Sequence, residues 1–141
     1  MYPEQLTAPM RAELTDNGFI DARSAEEVAT LLNQSSGTTL LVINSVCGCA
    51  AGAARPGVLQ SLTGEAKPDR LVTVFAGVDK AAVDKAREYL LPYPPSSPAI
   101  ALFKDGELVH FLQRHHIEGR NAQMISENLK LAYADFCKVP V

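Results

Sequence analysis

An unbroken apolar run, Leu40-Leu41-Val42-Ile43, limits what this chain can become. Consecutive apolar residues without polar alternation read as a strand buried on both faces, here spanning Thr38 to Asn44. A strand of that kind needs cover on two sides, which helices supply. Leu71-Val72-Thr73-Val74-Phe75-Ala76 is a second such run. Together they predict an α/β protein built on a central sheet.

The remaining pattern alternates around these strands. Leu6, Met10 and Leu14 recur every four residues and mark an amphipathic N-terminal helix that Asn17-Gly18 ends. Phe19-Ile20 is a short strand candidate. Ser24 and Glu27 have capping-box spacing and open a helix that buries Val28, Leu31 and Leu32. A helix is expected from about Gly48 to Leu62, kinked by Pro56, which removes the bond to the Gly52 carbonyl. Asp79 is expected to cap the next helix, which carries Val83, Leu90 and Leu91. Ala99 to Phe103 and Glu107 to Leu112 flank Lys104-Asp105-Gly106, a strong hairpin signal. A last helix, about Gly119 to Phe136, presents Met124, Ile125, Leu129 and Tyr133. A βαβ unit, a connecting helix, a hairpin and a terminal helix define a thioredoxin-like fold, a mixed β-sheet flanked by helices. The closing hairpin disfavours a doubly wound sheet, which would want a helix between its last strands.

The chain of 141 residues fits one domain, taken as 1–141. Such a length buries roughly 68% of the unfolded surface, so no disulfide staple is needed. Three cysteines, an odd number, also argue against a disulfide framework. A net charge of −3 without a basic patch gives no footprint for nucleic acid or an anionic membrane. No apolar stretch approaches the ~20 residues of a membrane span. The start, Met1-Tyr2-Pro3-Glu4-Gln5, lacks the layout of a secretion signal. A cytoplasmic location is therefore expected, where a disulfide is more often catalytic than structural.

The first strand runs into Cys47-Gly48-Cys49 and a helix leaves it. A cysteine at a helix start faces unsatisfied N–H groups and the positive end of the dipole, and both favour thiolate. Cys47 is therefore the expected nucleophile, with Cys49 the resolving or buried partner. Helical residues two apart do not face each other, so a Cys47–Cys49 disulfide needs a distorted turn, for which Gly48 supplies backbone freedom. The loop ahead of Ala99 should lie beside this helix start. A cis Ser97-Pro98 bond there would expose the Ser97 backbone to a bound disulfide.

Other readings attach to the same residues. A C-x-C pair can chelate soft cations, with Cys137 or a histidine completing the shell, yet structural zinc sites normally show two ligand pairs. Cys137 reads as incidental, near the C-terminus. Arg114, His115, His116 and Arg120 form either a solvated turn or a cationic rim that holds thiolates or a carboxylate-bearing thiol. Arg55 carries the same two readings.

The chain resembles the bacilliredoxin family. The resemblance is carried by Met1-Tyr2, Met10-Arg11, Glu13-Leu14, Asn44-Ser45-Val46-Cys47-Gly48-Cys49-Ala50, Ala54-Arg55-Pro56, Ser97-Pro98 and His115-His116-Ile117-Glu118-Gly119-Arg120. It implies a thioredoxin-like fold with Pro98 in cis, and thiol–disulfide exchange on client proteins capped with bacillithiol. Cys47 would take the cap, and Cys49 or a second low-molecular-weight thiol would release it. It also leaves open isomerase or reductase activity. The chain departs from the wider thioredoxin pattern, with Ser45-Val46 where a tryptophan would precede the cysteines and no evident buried carboxylate for the second one. The candidate catalytic set is Cys47, Cys49 and Pro98. Gly48, Arg55, Ser97, His115 and Arg120 are candidate substrate contacts. No cofactor is expected beyond the redox-active pair, with a low-molecular-weight thiol as co-substrate and S-thiolated proteins as partners.

Overall fold

Strand β2, Thr38–Asn44, is buried along its whole length at the centre of a five-stranded sheet. The computed structural model describes residues 2–138, so Met1 lies outside the described residues. β1 (Ile20–Asp21), β3 (Arg70–Phe75), β4 (Ala99–Lys104) and β5 (Glu107–Leu112) complete the sheet in the order β1-β3-β2-β4-β5. β1, β3 and β2 are parallel, whereas β4 pairs antiparallel with both β2 and β5. The thioredoxin-like mixed sheet is thus the architecture found.

The period of two in β2 explains the layers. Leu40 and Val42 point into one core with Val58, Ile125 and Leu129. Leu41 and Ile43 point into the other with Val28, Val74 and Val83. Helices α3 (Arg55–Ser61) and α6 (Ala122–Phe136) pack together over the first face. Helices α2 (Ala25–Leu32) and α4 (Lys80–Glu88) pack together over the second.

Local signals fare well where the chemistry is local. The Glu27 N–H donates to Ser24 Oγ at 3.1 Å, as the capping box requires. At the β4–β5 turn Asp105 and Gly106 have φ of 51° and 84°, the left-handed pair a tight hairpin needs.

Five expectations change. Helix α1 (Glu4–Thr15) buries Thr7, Arg11 and Leu14 and leaves Leu6 exposed. The shifted stripe follows from Arg11, which pairs with Asp21 at 2.9 Å and Asp79 at 2.7 Å and lies over the Phe75 ring. Asp79 consequently makes no side-chain cap on α4. The expected kink at Pro56 is replaced by a π-helical segment, Ala50–Ala54, in which the Arg55 N–H reaches back to the Ala50 carbonyl. One residue added to the turn lets α3 begin with Pro56 in its first turn, where its missing N–H costs nothing. A further short helix, α5 (Arg114–Ile117), follows β5 where a turn was expected. Helix α4 ends at Glu88, so Leu90 is buried beyond it and Leu91 is exposed.

Candidate active site

Cys47 sits three residues beyond the end of β2. Asn44 and Ser45 turn the chain out of the sheet: Asn44 Oδ1 accepts from the Ser45 N–H at 2.8 Å, and its amide donates to the Met10 carbonyl at 3.1 Å. The Cys47 N–H then donates to Ser45 Oγ at 3.1 Å. The Cys47 carbonyl accepts from the Ala50 and Ala51 N–H groups at 3.1 and 3.3 Å, so Cys47 stands at the mouth of the helix rather than inside it. Helical spacing therefore does not govern the pair. The Cys47 side chain folds over the first turn, and the two free sulfurs lie 2.9 Å apart.

Both cysteines are half-buried, so exposure does not distinguish them. Hydrogen bonding does. Burial pushes the Cys47 thiol up, but bonds from Cys49, Ser45 and the backbone N–H groups of Ala50 and Cys49 outweigh it, and Cys47 is more acidic than an ordinary thiol. These donors are backbone N–H groups of the helix start, joined by two side chains. Cys49 moves the other way. Burial, the bond to Cys47 and the Cys47 charge hold its proton on, and Arg114 opposes them. The pair is thus asymmetric, with Cys47 the sulfur that gives up its proton more readily and Cys49 the one that keeps it.

Gly48 is exposed, does not use a left-handed φ, and a Cβ built on it meets nothing within 4 Å. The backbone freedom expected of it is not used here; its contribution is bare space beside the sulfurs.

Arg55, expected as a rim residue, is 2% exposed. The π-helical segment turns it inward, where Nη1 donates to Asn44 Oδ1 at 2.9 Å and to the Ser45 carbonyl at 2.8 Å. Nε donates to Glu13 at 2.9 Å. Its guanidinium is occupied by the protein, so it braces the loop from beneath and presents nothing to a substrate. Arg120 is also elsewhere: it donates to the His116 carbonyl at 2.6 Å and lines a small cavity with Leu112, Met124 and Asn128.

The Ser97-Pro98 bond is cis, and so is Leu91-Pro92, which carried no expectation. The Ser97 carbonyl accepts from Arg114 Nη1 at 3.3 Å, and the Arg114 N–H donates to Ser96 Oγ at 2.7 Å. Arg114 is ion-paired with Glu118 and lies within electrostatic reach of both sulfurs; Glu118 first, then the two cysteines, hold its proton more firmly. Arg114 is thus the cation of the Arg114–Arg120 segment that the fold brings to the cysteines. Its signal was its place, two residues after the end of β5, which only the sheet order converts into proximity. His115 is exposed on a cleft shared with Arg114 and Ser97.

Burial pushes the Cys137 thiol up, and nearby Thr38 opposes the shift only in part. Thr38 opens β2 and the cysteine pair follows its end, so seven residues of strand, about 20 Å, separate them. Cys137 cannot complete a metal shell with Cys47 and Cys49. Among the described residues no three His, Cys, Asp or Glu side chains are grouped to hold a metal ion, and no helix is long and apolar enough to cross a membrane.

A family described as disulphide isomerase matches residues 2–137. A bacilliredoxin of Cytophaga hutchinsonii is 64% identical over 133 residues, covering 94% of this chain and 98% of the relative. A bacilliredoxin of Halalkalibacterium halodurans is 53% identical over 137 residues, covering 97% and 95%. Among solved structures, a thioredoxin of Halobacterium salinarum superposes with a TM-score of 0.57 at 15% identity, covering 86% of this chain and 93% of its own. Mitochondrial thioredoxin 3 of Saccharomyces cerevisiae gives 0.57 at 18% identity, covering 88% and 99%. These two likenesses establish the thioredoxin fold.

Proposed function

The chain belongs to the bacilliredoxin family, and on that premise we propose that it is a thiol–disulfide oxidoreductase that removes a low-molecular-weight thiol, bacillithiol or a relative of it, from S-thiolated proteins. The observation that carries the reading is the asymmetry of the pair: Cys47 acidified by converging donors, with the Cys49 thiol 2.9 Å away.

The Cys47 thiolate attacks the sulfur of the cap. A Cys47–cap disulfide forms, the cap–client bond breaks, and the client leaves as a thiolate that takes up a proton. Capping removes the Cys47 charge. Two of the causes that keep Cys49 protonated, its bond to Cys47 and the Cys47 charge, vanish with it, while Arg114 remains. Cys49 therefore becomes easier to ionise only after the first step. Its thiolate then attacks Cys47 Sγ, expels the cap as a thiol, and leaves a Cys47–Cys49 disulfide. Two electrons and two protons from further low-molecular-weight thiol, itself oxidised to its disulfide, restore the dithiol. The redox-active pair needs no other cofactor, and this chemistry suits a reducing, cytoplasmic compartment.

A single-cysteine client capped with bacillithiol tests the reading. The protein should release the client thiol, and Cys47→Ala should not. Intact mass should show Cys49→Ser stalled with the cap on Cys47. Equal release by Cys47→Ala would overturn the proposal.

The family description favours a second reading, isomerisation of client disulfides. It predicts that Cys49→Ser keeps full activity on a scrambled multi-disulfide client, because rearrangement needs no net electron transfer.

A further inference from the structure

An open cleft of about 450 Å³ adjoins the loop that ends in Pro98. Arg87 of α4, Ser96 and Ser97 of the loop, and Arg114, His115 and Glu118 at α5 line it. Its volume suits a small molecule rather than a protein segment. Its charge runs against that of the chain: two arginines and a histidine face one carboxylate, in a protein of net charge −3. Glu118 is spent on Arg114. Arg87 Nε is buried and has no hydrogen-bond partner among the described residues. Among the described residues no carboxylate pairs with Arg87, so the part of its side chain that lines the cleft is available to a ligand carboxylate.

The cleft is joined to the reactive pair at two points. Ser97 lines it and immediately precedes Pro98, and Arg114 both lines it and acts on the two sulfurs. A molecule whose sulfur sits at Cys47 can therefore extend its body into the cleft.

We propose that this cleft binds the carboxylate-bearing body of the low-molecular-weight thiol, with Arg87 as the residue that selects for carboxylate. The inference rests on the reading of Cys47 as the acceptor of the cap. It assigns recognition of the cap to α4 and α5, and leaves recognition of the client to other surfaces. Arg87 is a specificity residue only; it takes no part in the exchange.

Two caps on one single-cysteine client test it: mercaptosuccinate, a dicarboxylate, and 2-mercaptoethanol, which is neutral. The wild type should show a KM about tenfold lower for the mercaptosuccinate cap, the size of a charge-assisted hydrogen bond. Arg87→Gln should erase that preference by raising KM for this cap alone, with kcat and the 2-mercaptoethanol reaction unchanged. Arg87→Lys should keep most of it. Raising salt from about 0.05 to about 0.5 M should shrink the wild-type preference, a readout that stands even if Arg87→Gln fails to fold. Release of both caps with equal KM by the wild type, a salt-independent preference, or a preference kept in folded Arg87→Gln would overturn the cleft and leave the exchange reading standing. Release of neither cap by the wild type would overturn both.

Discussion

Arg55 donates through Nη1 to the carbonyl of Ser45 at 2.8 Å, two residues ahead of the nucleophilic sulfur. The same nitrogen holds Asn44 Oδ1, and Nε holds Glu13 on α1. The loop that aims Cys47 is thus fastened from below by one buried cation. Its Coulombic partner is Glu13, whose side chain is 43% exposed, so the pair escapes much of the desolvation cost of a fully buried ion pair.

Replacing Arg55 with Met removes three charge-assisted bonds and keeps most of the volume. The expected loss is about 2–4 kcal/mol of unfolding free energy, below the sum of the bonds because water reaches Glu13. Urea denaturation of the reduced protein measures it. Arg55→Lys should recover little, since an ammonium cannot span Glu13, Asn44 and Ser45 together. The Cys47 rate should fall in both variants, because Ser45 is no longer held beneath the sulfur.

Ser45 itself is the sharper probe of acidity. Its hydroxyl is one of the donors that lower the Cys47 thiol. Ser45→Ala should move that thiol upward and slow iodoacetamide alkylation at pH 7 about fivefold, the worth of roughly 1 kcal/mol. The sign for stability follows from the same shift. A Cys47 thiol held below its ordinary value adds stability that is complete above the unfolded pKa and lost as pH falls through the folded one. Burial raises Cys137, so its contribution is complete below the ordinary thiol pKa and lost as pH rises through the folded value. Urea midpoints of Cys137→Ala should therefore decline less toward alkaline pH than those of the wild type.

Two glycines separate packing from access. A Cβ on Gly57 would stand 2.6 Å from Ile125 Cβ and 3.0 Å from the Ala122 carbonyl. Gly57→Ala should cost about 1–3 kcal/mol by forcing α3 off α6. Gly48 has no such neighbour, so Gly48→Ala should hold or raise stability by up to about 1 kcal/mol. The same methyl beside the sulfurs should slow reaction with a bulky protein disulfide more than with a small one. Melting curves and paired rate measurements check both.

What the sequence made legible was local. The run Leu40 to Ile43, the Ser24 cap and the Asp105-Gly106 turn each depend on neighbours within a few residues, and each stands as read. Cys47 as the helix-mouth sulfur belongs with them. The misplaced residues depend on partners far along the chain. Asp79 has the spacing of a cap, but Arg11, sixty-eight positions earlier in the sequence, takes its carboxylate at 2.7 Å. Arg55 is polar and sits in a helix read as kinked at Pro56 but otherwise α-helical. Only a π-helical segment and the Asn44–Ser45 bend turn it inward. Helix α5 is four residues long, too short to show a period.

Arg114 offers the last test, because it acts on Cys49 at the step where timing matters. Burial raises the Cys49 thiol and Arg114 lowers it. Once Cys47 carries the cap, Arg114 is the charged side chain still favouring a Cys49 thiolate. Arg114→Gln should slow the first step less than the second, since the hydrogen bonds from Cys49, Ser45 and backbone N–H groups that favour the Cys47 thiolate are untouched. It should slow the second, so the Cys47–cap adduct accumulates at pH 7 and clears faster as pH rises and Cys49 ionises. Quenched-flow intact mass would follow the adduct directly. Excess external thiol should rescue release in Arg114→Gln, because that route bypasses Cys49. An adduct lifetime equal to that of the wild type at every pH would show that Arg114 has no part in resolution.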